Sequence, residues 1–367
     1  MQFRTPLNSV SRSGYQVDVL KSAFQKYLRR RDEEKMVWCM EELYLFGVLG
    51  KNEKEKRVGK AIVSNLINRM VVMMDEELSF RECEKYVVMR DYLEKFEKSD
   101  RKELSYLRVI CKILLEGELC RRNSYGRSWW YHRFELEGDE HDADSDENCF
   151  KKFKECFERG DESWPIWMFK ILKGGNSDGK KRFRRSENIY MIWEYLFNLE
   201  MVKKNKNLRK VLDLKLKEFF KKDRKERFIF LYASVDLCMY YNGEWNETWE
   251  EKYEISLNFY KDMYNYDEIN LEEREKLELD EFVFDMHTSE GKKRGKSKED
   301  FKREGCFVLN ENEKYLRKDW KNFYVNFVGK PVEKKAGIGL NKKEKMELKE
   351  KEKRERMEKK EKEKRER

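Results

Sequence analysis

Apolar residues recur at helical spacing from Leu20 to Leu119, and this recurrence constrains the fold more than any other feature of the chain. Leu20, Phe24, Tyr27 and Leu28 share one face of a helix whose other faces carry Lys21, Lys26, Arg29, Arg30 and Arg31. After a charged break from Arg31 to Lys35, a second apolar set (Met36, Trp38, Cys39, Met40, Leu43, Leu45 and Phe46) can pack back on the first, ending near Gly47 and Gly50. The expected unit is a helical hairpin. A third helix is expected from Lys56 to Leu78, carrying Val58, Ile62, Leu66, Ile67, Met70, Val71 and Met74. It ends in Asp75, Glu76 and Glu77, where acids oppose the helix macrodipole, and this points to a basic partner for them. Further helical spacing from Phe80 to Leu119 completes a first bundle.

Only 3 prolines and 18 glycines interrupt the 367 residues, and Leu, Glu, Lys and Met are abundant, so a mainly α fold is expected throughout. A hydrophobic content of 39% is enough to bury a sizeable core. The expected organisation is a collar-like helical bundle over 1–134, an acidic linker or loop over 135–148 ("ELEGDEHDADSDEN"), an aromatic-rich, mostly helical region over 149–330, and a charged tail over 331–367. Charged residues make up 42%, with 82 basic against 73 acidic, which indicates solvated helices more than a uniform polycation. From Lys342 onward there are 14 basic and 9 acidic residues, and seven of the acids stand four positions before a base, a pattern that favours a solitary solvated helix.

The eight cysteines include no C-x-x-C pair, and the opening "MQFRTPLNSV" has no signal-sequence character. An intracellular, cytoplasmic or nuclear, setting is expected. No apolar run approaches the roughly 20 residues that span a bilayer.

Three stretches, "LKSAFQKYLRRRDEEKMVWCMEEL", "VSNLINRMVVMMDEEL" and "VICKILLEGELCRRNSYGR", together resemble the C-terminal helical region of clamp-loader-like AAA+ ATPases of the Werner-helicase-interacting and bacterial replication-recombination type. The matching residues are Ser22, Ala23, Phe24, Lys26, Leu28, Arg29, Arg69 and Glu76. The resemblance covers about the first third of the chain and implies oligomerisation or protein contacts through these helices and work at replication forks. A short segment precedes Leu20, whereas a nucleotide-binding domain needs on the order of 150 residues. The resemblance therefore implies a detached collar without the ATPase motor.

Other chemistries find little support. "GGNSDGKK", from Gly174 to Lys181, has P-loop spacing, but Lys181 stands where a magnesium-binding hydroxyl belongs. "GKKRGKS", from Gly291 to Ser297, has the hydroxyl and is one residue short. Asp142, Asp144 and Asp146 suggest a calcium loop, yet Glu147 and Phe153 occupy the positions that need Gly and Glu, so no metal site is expected. Phe228 to Val235 followed by Asp236 has a Walker B pattern and reads more economically as a buried element. His287 with Asp285 could move a proton, but no nucleophile pairs with either, and no catalytic residue or cofactor is expected.

The aromatics of the second region, among them Trp164, Trp167, Phe169, Trp193 and Phe228, are expected mostly in the core. Candidate nucleic-acid contacts are Lys26, Arg29 and Arg30; Lys180, Lys181, Arg182, Phe183, Arg184 and Arg185, where cations could neutralise phosphates and Phe183 stack on a base; and Lys292, Lys293, Arg294 and Lys296. The Lys180 to Arg185 cluster and Lys203 to Lys210 are the preferred nucleic-acid contacts, with plain helix surface charge as the alternative. Gly291, Gly295 and Ser297 form a candidate phosphate loop. The expectation is a non-catalytic nucleic-acid-associated protein, or a subunit of a replication or packaging assembly. The alternative is a scaffold protein of a large assembly without nucleic-acid contact.

Overall fold

A computed structural model describes residues 1–137, 145–173, 189–221, 227–241, 252–258 and 275–326. The expected P-loop spacing at 174–181, the Lys180 to Arg185 cluster, most of the acidic stretch and the charged tail lie outside these residues. The fold is mainly α. Among the described residues there is no strand, only isolated bridges such as Leu78 with Leu119.

Helix α1 (Val17–Arg30) ends where Arg31 adopts a left-handed conformation, φ 55°, and the side chain of Asp32 then caps α2 (Glu33–Val48) by accepting from the Lys35 N–H. Asn52 caps α3 (Glu53–Glu76) in the same way. These three helices form the expected hairpin and its third member. Gly59 lets α3 lie directly on α2: a Cβ there would stand 2.0 Å from the Phe46 carbonyl oxygen. Helices α4 (Cys83–Lys98) and α5 (Leu104–Glu116) pair with each other, and α5 also packs on α2.

Beyond α5 the chain returns to the end of α3. Cys120 N–H donates to the Glu77 carbonyl and Ser79 N–H to that of Glu118, both at 2.8 Å. This antiparallel clasp starts α6 (Arg122–Glu137) beside the α3 terminus. Helices α7 (Asp146–Glu158) and α8 (Trp164–Lys173) pack together, and α8 also packs on α6. There follow α9 (Ile189–Asn198), α10 (Glu200–Lys204), α11 (Lys206–Lys221), α12 (Phe228–Tyr240) and α13 (252–258).

Helix α12 is apolar on every side, as a helix surrounded by protein must be, and contacts α3, α6, α9 and α11. Its Asp236 is fully buried and meets Arg122 at 2.9 Å. The Walker-like run is thus a buried helix. Trp164, Phe169, Trp193, Phe219 and Tyr232 all enter the same core as Phe24, Leu66 and Ile110. Helices on both sides of the acidic stretch therefore share one core, within a compact unit spanning Met1–Asn326. Fully burying each large apolar side chain contributes roughly 1.5 to 3 kcal/mol.

The last described stretch, 275–326, contains a 3-10 turn (Glu281–Val283), α14 (Ser289–Lys293), α15 (Lys298–Asp300), a π turn (Phe301–Gly305) and α16 (Lys318–Asn326). It lies over the polar face of α1. Lys26 Nζ donates to the Phe282 and Val283 carbonyls, Tyr27 Oη to Asp280, and Arg29 to the Gly305 carbonyl. Leu309 N–H in turn donates to the Arg29 carbonyl. The face of α1 that reads as a basic surface in sequence is covered by the chain's own later segment.

A cation-lined cavity as the candidate functional site

A cavity of about 790 Å³ opens where α1, α3 and α6 meet this covering segment. Helix α1 supplies Lys21, Ser22, Gln25, Lys26 and Arg29, spaced so that they share one face. Arg69 and Glu76 come from α3, and Arg121, Ser124, Arg127, Ser128 and Tyr131 from the start of α6 and the residue before it. Asp285, His287 and Thr288 close one side, and the rings of Phe169, Phe228, Phe301 and Tyr324 complete the wall.

The charges are arranged in two groups. Lys26 and Asp285 pair at 2.7 Å and are both buried. Desolvation pulls the Lys26 ammonium below its ordinary range, with Asp285 opposing it. The second group is a network of four guanidiniums and two carboxylates. Arg29 donates to Glu77 at 2.6 Å, and Arg121 approaches the other oxygen of Glu77 at 3.4 Å. Gln25 Nε2 donates to Glu77 at 2.6 Å and to Glu76 at 3.1 Å, while Gln25 Oε1 accepts from Arg69 at 3.1 Å. Arg127 stands 3.7 Å from Glu76. Burial acts to raise the Glu77 carboxyl, but Arg29 and Arg121 outweigh it and hold the group below the usual carboxylate range.

The clasp between Leu78 and Leu119 explains this meeting, because it sets Arg121 beside Glu77 across the two backbones. Tyr125 and Tyr324 flank the Arg121 guanidinium, with ring centroids at 5.2 and 5.3 Å. Arg121 Nε is the atom facing Glu77, and Ser124 Oγ, in the same wall, is buried with no hydrogen-bond partner among the described residues. The acids at the end of α3 do find basic partners, and those partners are internal: Lys215 for Asp75, Arg127 for Glu76, and Arg29 with Arg121 for Glu77.

Of the residues singled out in the sequence, Lys26 and Arg29 line the cavity and Arg30 stands apart from it. Arg30 lies between the rings of Phe282 and Phe307, at 4.5 and 4.7 Å, and donates to the Glu304 and Phe307 carbonyls. Lys292 is exposed on α14, Lys293 reaches Glu290 at 3.7 Å, Arg294 pairs with Glu281 at 2.6 Å, and Lys296 pairs with Glu281 at 3.2 Å. Gly291 is buried and its N–H donates to Thr288 Oγ1, the cap of α14; Gly295 turns the chain with φ +73°; Ser297 forms a capping box with Asp300. These glycines and the serine therefore serve helix ends, and the Gly291, Gly295 and Ser297 N–H groups bond within the loop.

The ring of His287 packs edge-on to Phe301, 4.7 Å between centroids, and partial desolvation lowers its pKa despite Asp285. Arg121, Ser124 and Arg127 are not among the sequence candidates for the site, although they line the cavity. Their signal was present in the run from Arg121 to Tyr131, where Arg121, Ser124, Ser128 and Tyr131 recur at helical spacing on one face. Among the described residues no group of His, Cys, Asp and Glu side chains is arranged to hold a metal ion. No family model, curated protein or solved structure matches the chain.

Proposed function

We propose that the protein binds nucleic acid through this cavity, as a non-catalytic component of a replication or packaging assembly. The observation that carries the reading is the charge imbalance of the wall: Arg29, Arg121 and Arg127 share the two carboxylates Glu76 and Glu77, and Arg69 joins them through Gln25 without a carboxylate of its own. Such a surplus attracts phosphate, and guanidinium forks suit phosphate oxygens. Tyr131 and Phe301, both half-buried in the same wall, offer faces on which an unpaired base can stack. The volume is within the range of about 300 to 1,000 Å³ that holds small organic groups, and a duplex exceeds it, so a single strand or a strand end is the fitting form. The resemblance to the helical region of clamp-loader-like ATPases accords with this reading. An intracellular setting fits the eight cysteines, all of them free. No helix among the described residues is long and apolar enough to cross a membrane.

A protein-binding scaffold is the second reading. It is favoured by Tyr190 and Phe220, which are 53% and 48% exposed and stacked at 5.4 Å. The two readings separate in a binding titration of the full chain with single- and double-stranded DNA and RNA over a salt series. The nucleic-acid reading expects binding to single strands that weakens steeply with salt. No binding at low salt to any of the four would end it and leave the scaffold in front.

A further inference from the structure

The buried end of the cavity has more specific features than a general attraction for phosphate. Arg29, Arg121 and Ser124 are 3%, 2% and 4% exposed, whereas Arg69, Arg127 and Ser128 are only half-buried, so the recess runs from an open rim to a closed floor. At the floor, two guanidiniums meet the single carboxylate Glu77. Arg69, joined to them through Gln25, has no ion pair among the described residues. The network of four cations and two acids is thus short of two negative charges. The excess charge at the floor, where Arg29 and Arg121 are both buried against one carboxylate, is costly without a counter-charge and marks a place for an anion. One unused polar atom at the same end adds direction: the Ser124 hydroxyl is buried without a hydrogen-bond partner among the described residues.

We infer that the floor of the cavity is a subsite for a terminal phosphate monoester, borne by a free nucleotide or by the end of a nucleic-acid strand. The floor itself is short of one negative charge and Arg69 above it adds a second; a monoester carries about −1.5 to −2 charge at pH 7, enough to meet both, whereas an internal diester carries one. Geometry separates the two as well. A diester continues on both sides and crosses the rim, while a terminal group can enter a closed recess and bring three acceptor oxygens to Arg121, Ser124 and Arg69. Tyr131, half-buried, then stands nearer the rim to take the attached base. This inference rests on the nucleic-acid reading for its strand-end form only; a free nucleotide would fill the same subsite without it.

The test uses the full chain and a single-stranded DNA oligonucleotide labelled internally, with a 5′-phosphate, a 3′-phosphate or hydroxyls at both ends, together with a circular strand of the same sequence. Adenosine monophosphate and adenosine serve as competitors. The expected result is that one terminal phosphate strengthens binding by about 10-fold over hydroxyl ends, the effect of one charge-assisted hydrogen bond set. Ser124→Ala and Arg121→Lys are expected to bring that ratio towards 1, and Lys204→Gln, a substitution on exposed α10, to leave it unchanged. Competition by adenosine monophosphate and not by adenosine identifies a free nucleotide as a source. Equal binding of all four strands, with neither competitor effective, would overturn the subsite and leave the nucleic-acid reading standing. Monophosphate binding without any strand binding would keep the subsite and end that reading. Binding of nothing would end both.

Discussion

Lys26 Nζ lies 2.7 Å from Asp285 Oδ2, with the two side chains 2% and 5% exposed, so a cation of the first helix is neutralised by a carboxylate 259 positions later. Removing one member leaves the other charged and buried. Lys26→Met is expected to cost about 3 to 5 kcal/mol, and Lys26→Met with Asp285→Leu considerably less, because the double change removes both charges. Urea denaturation of the two variants measures the difference. Equal losses would show that the pair does not act as a unit.

Glu77 makes stability depend on pH in a defined direction. Its folded pKa is depressed by Arg29 and Arg121 against the effect of burial, so the unfolded chain binds the proton more tightly. The stabilisation is present above the unfolded value of about 4.3 and is lost as pH falls through the lower folded value. Glu77→Gln is expected to lower stability at pH 7 by about 3 to 5 kcal/mol, and to flatten the acid limb of the melting temperature below pH 4. A variant whose acid limb stays parallel to that of the parent would contradict this.

Gly59→Ala tests the contact between α2 and α3. The added Cβ would stand 2.0 Å from the Phe46 carbonyl oxygen and 2.8 Å from its carbon, both backbone atoms. The helix-propensity gain of up to about 1 kcal/mol is expected to be outweighed by strain of about 1 to 3 kcal/mol or more, giving a lower melting temperature. An unchanged or higher value would mean that the two helices separate easily.

The thiols give a check on burial. Seven cysteines are buried and Cys156 is partly exposed. A thiol reagent at pH 8 is expected to label one site quickly in the native protein and eight after denaturation, with mass spectrometry placing the fast site at Cys156. Rapid labelling of Cys39 or Cys111, both fully buried, would contradict the packing.

The first five helices were legible because each carries its own periodicity, and the caps at Asp32 and Asn52 are local signals. The acids ending α3 signalled a basic partner, and a partner exists for each. The cavity was not legible. Its wall draws on α1, α3, α6 and residues from Asp285 to Tyr324, and the periodicity of one helix says nothing about what covers its polar face. Lys26, Arg29 and Arg30 read as an outward basic surface for that reason, and the chain after Glu275 lies over them. Arg121 gained its place from the clasp between Leu78 and Leu119, a pairing of two single residues that leaves no pattern in sequence.

The most direct measurement of the central account is the salt dependence of single-strand binding by two charge-matched pairs of substitutions in the full chain. Arg69→Gln with Arg127→Gln removes two cations from the cavity wall; Lys203→Gln with Lys204→Gln removes two from exposed α10. The account predicts that the first pair weakens binding and reduces the slope of log affinity against log salt by about 1.4, at about 0.7 per lost phosphate contact, while the second pair leaves the slope within error of the parent. Equal slopes for the two pairs, or a larger change on α10, would contradict binding through the cavity.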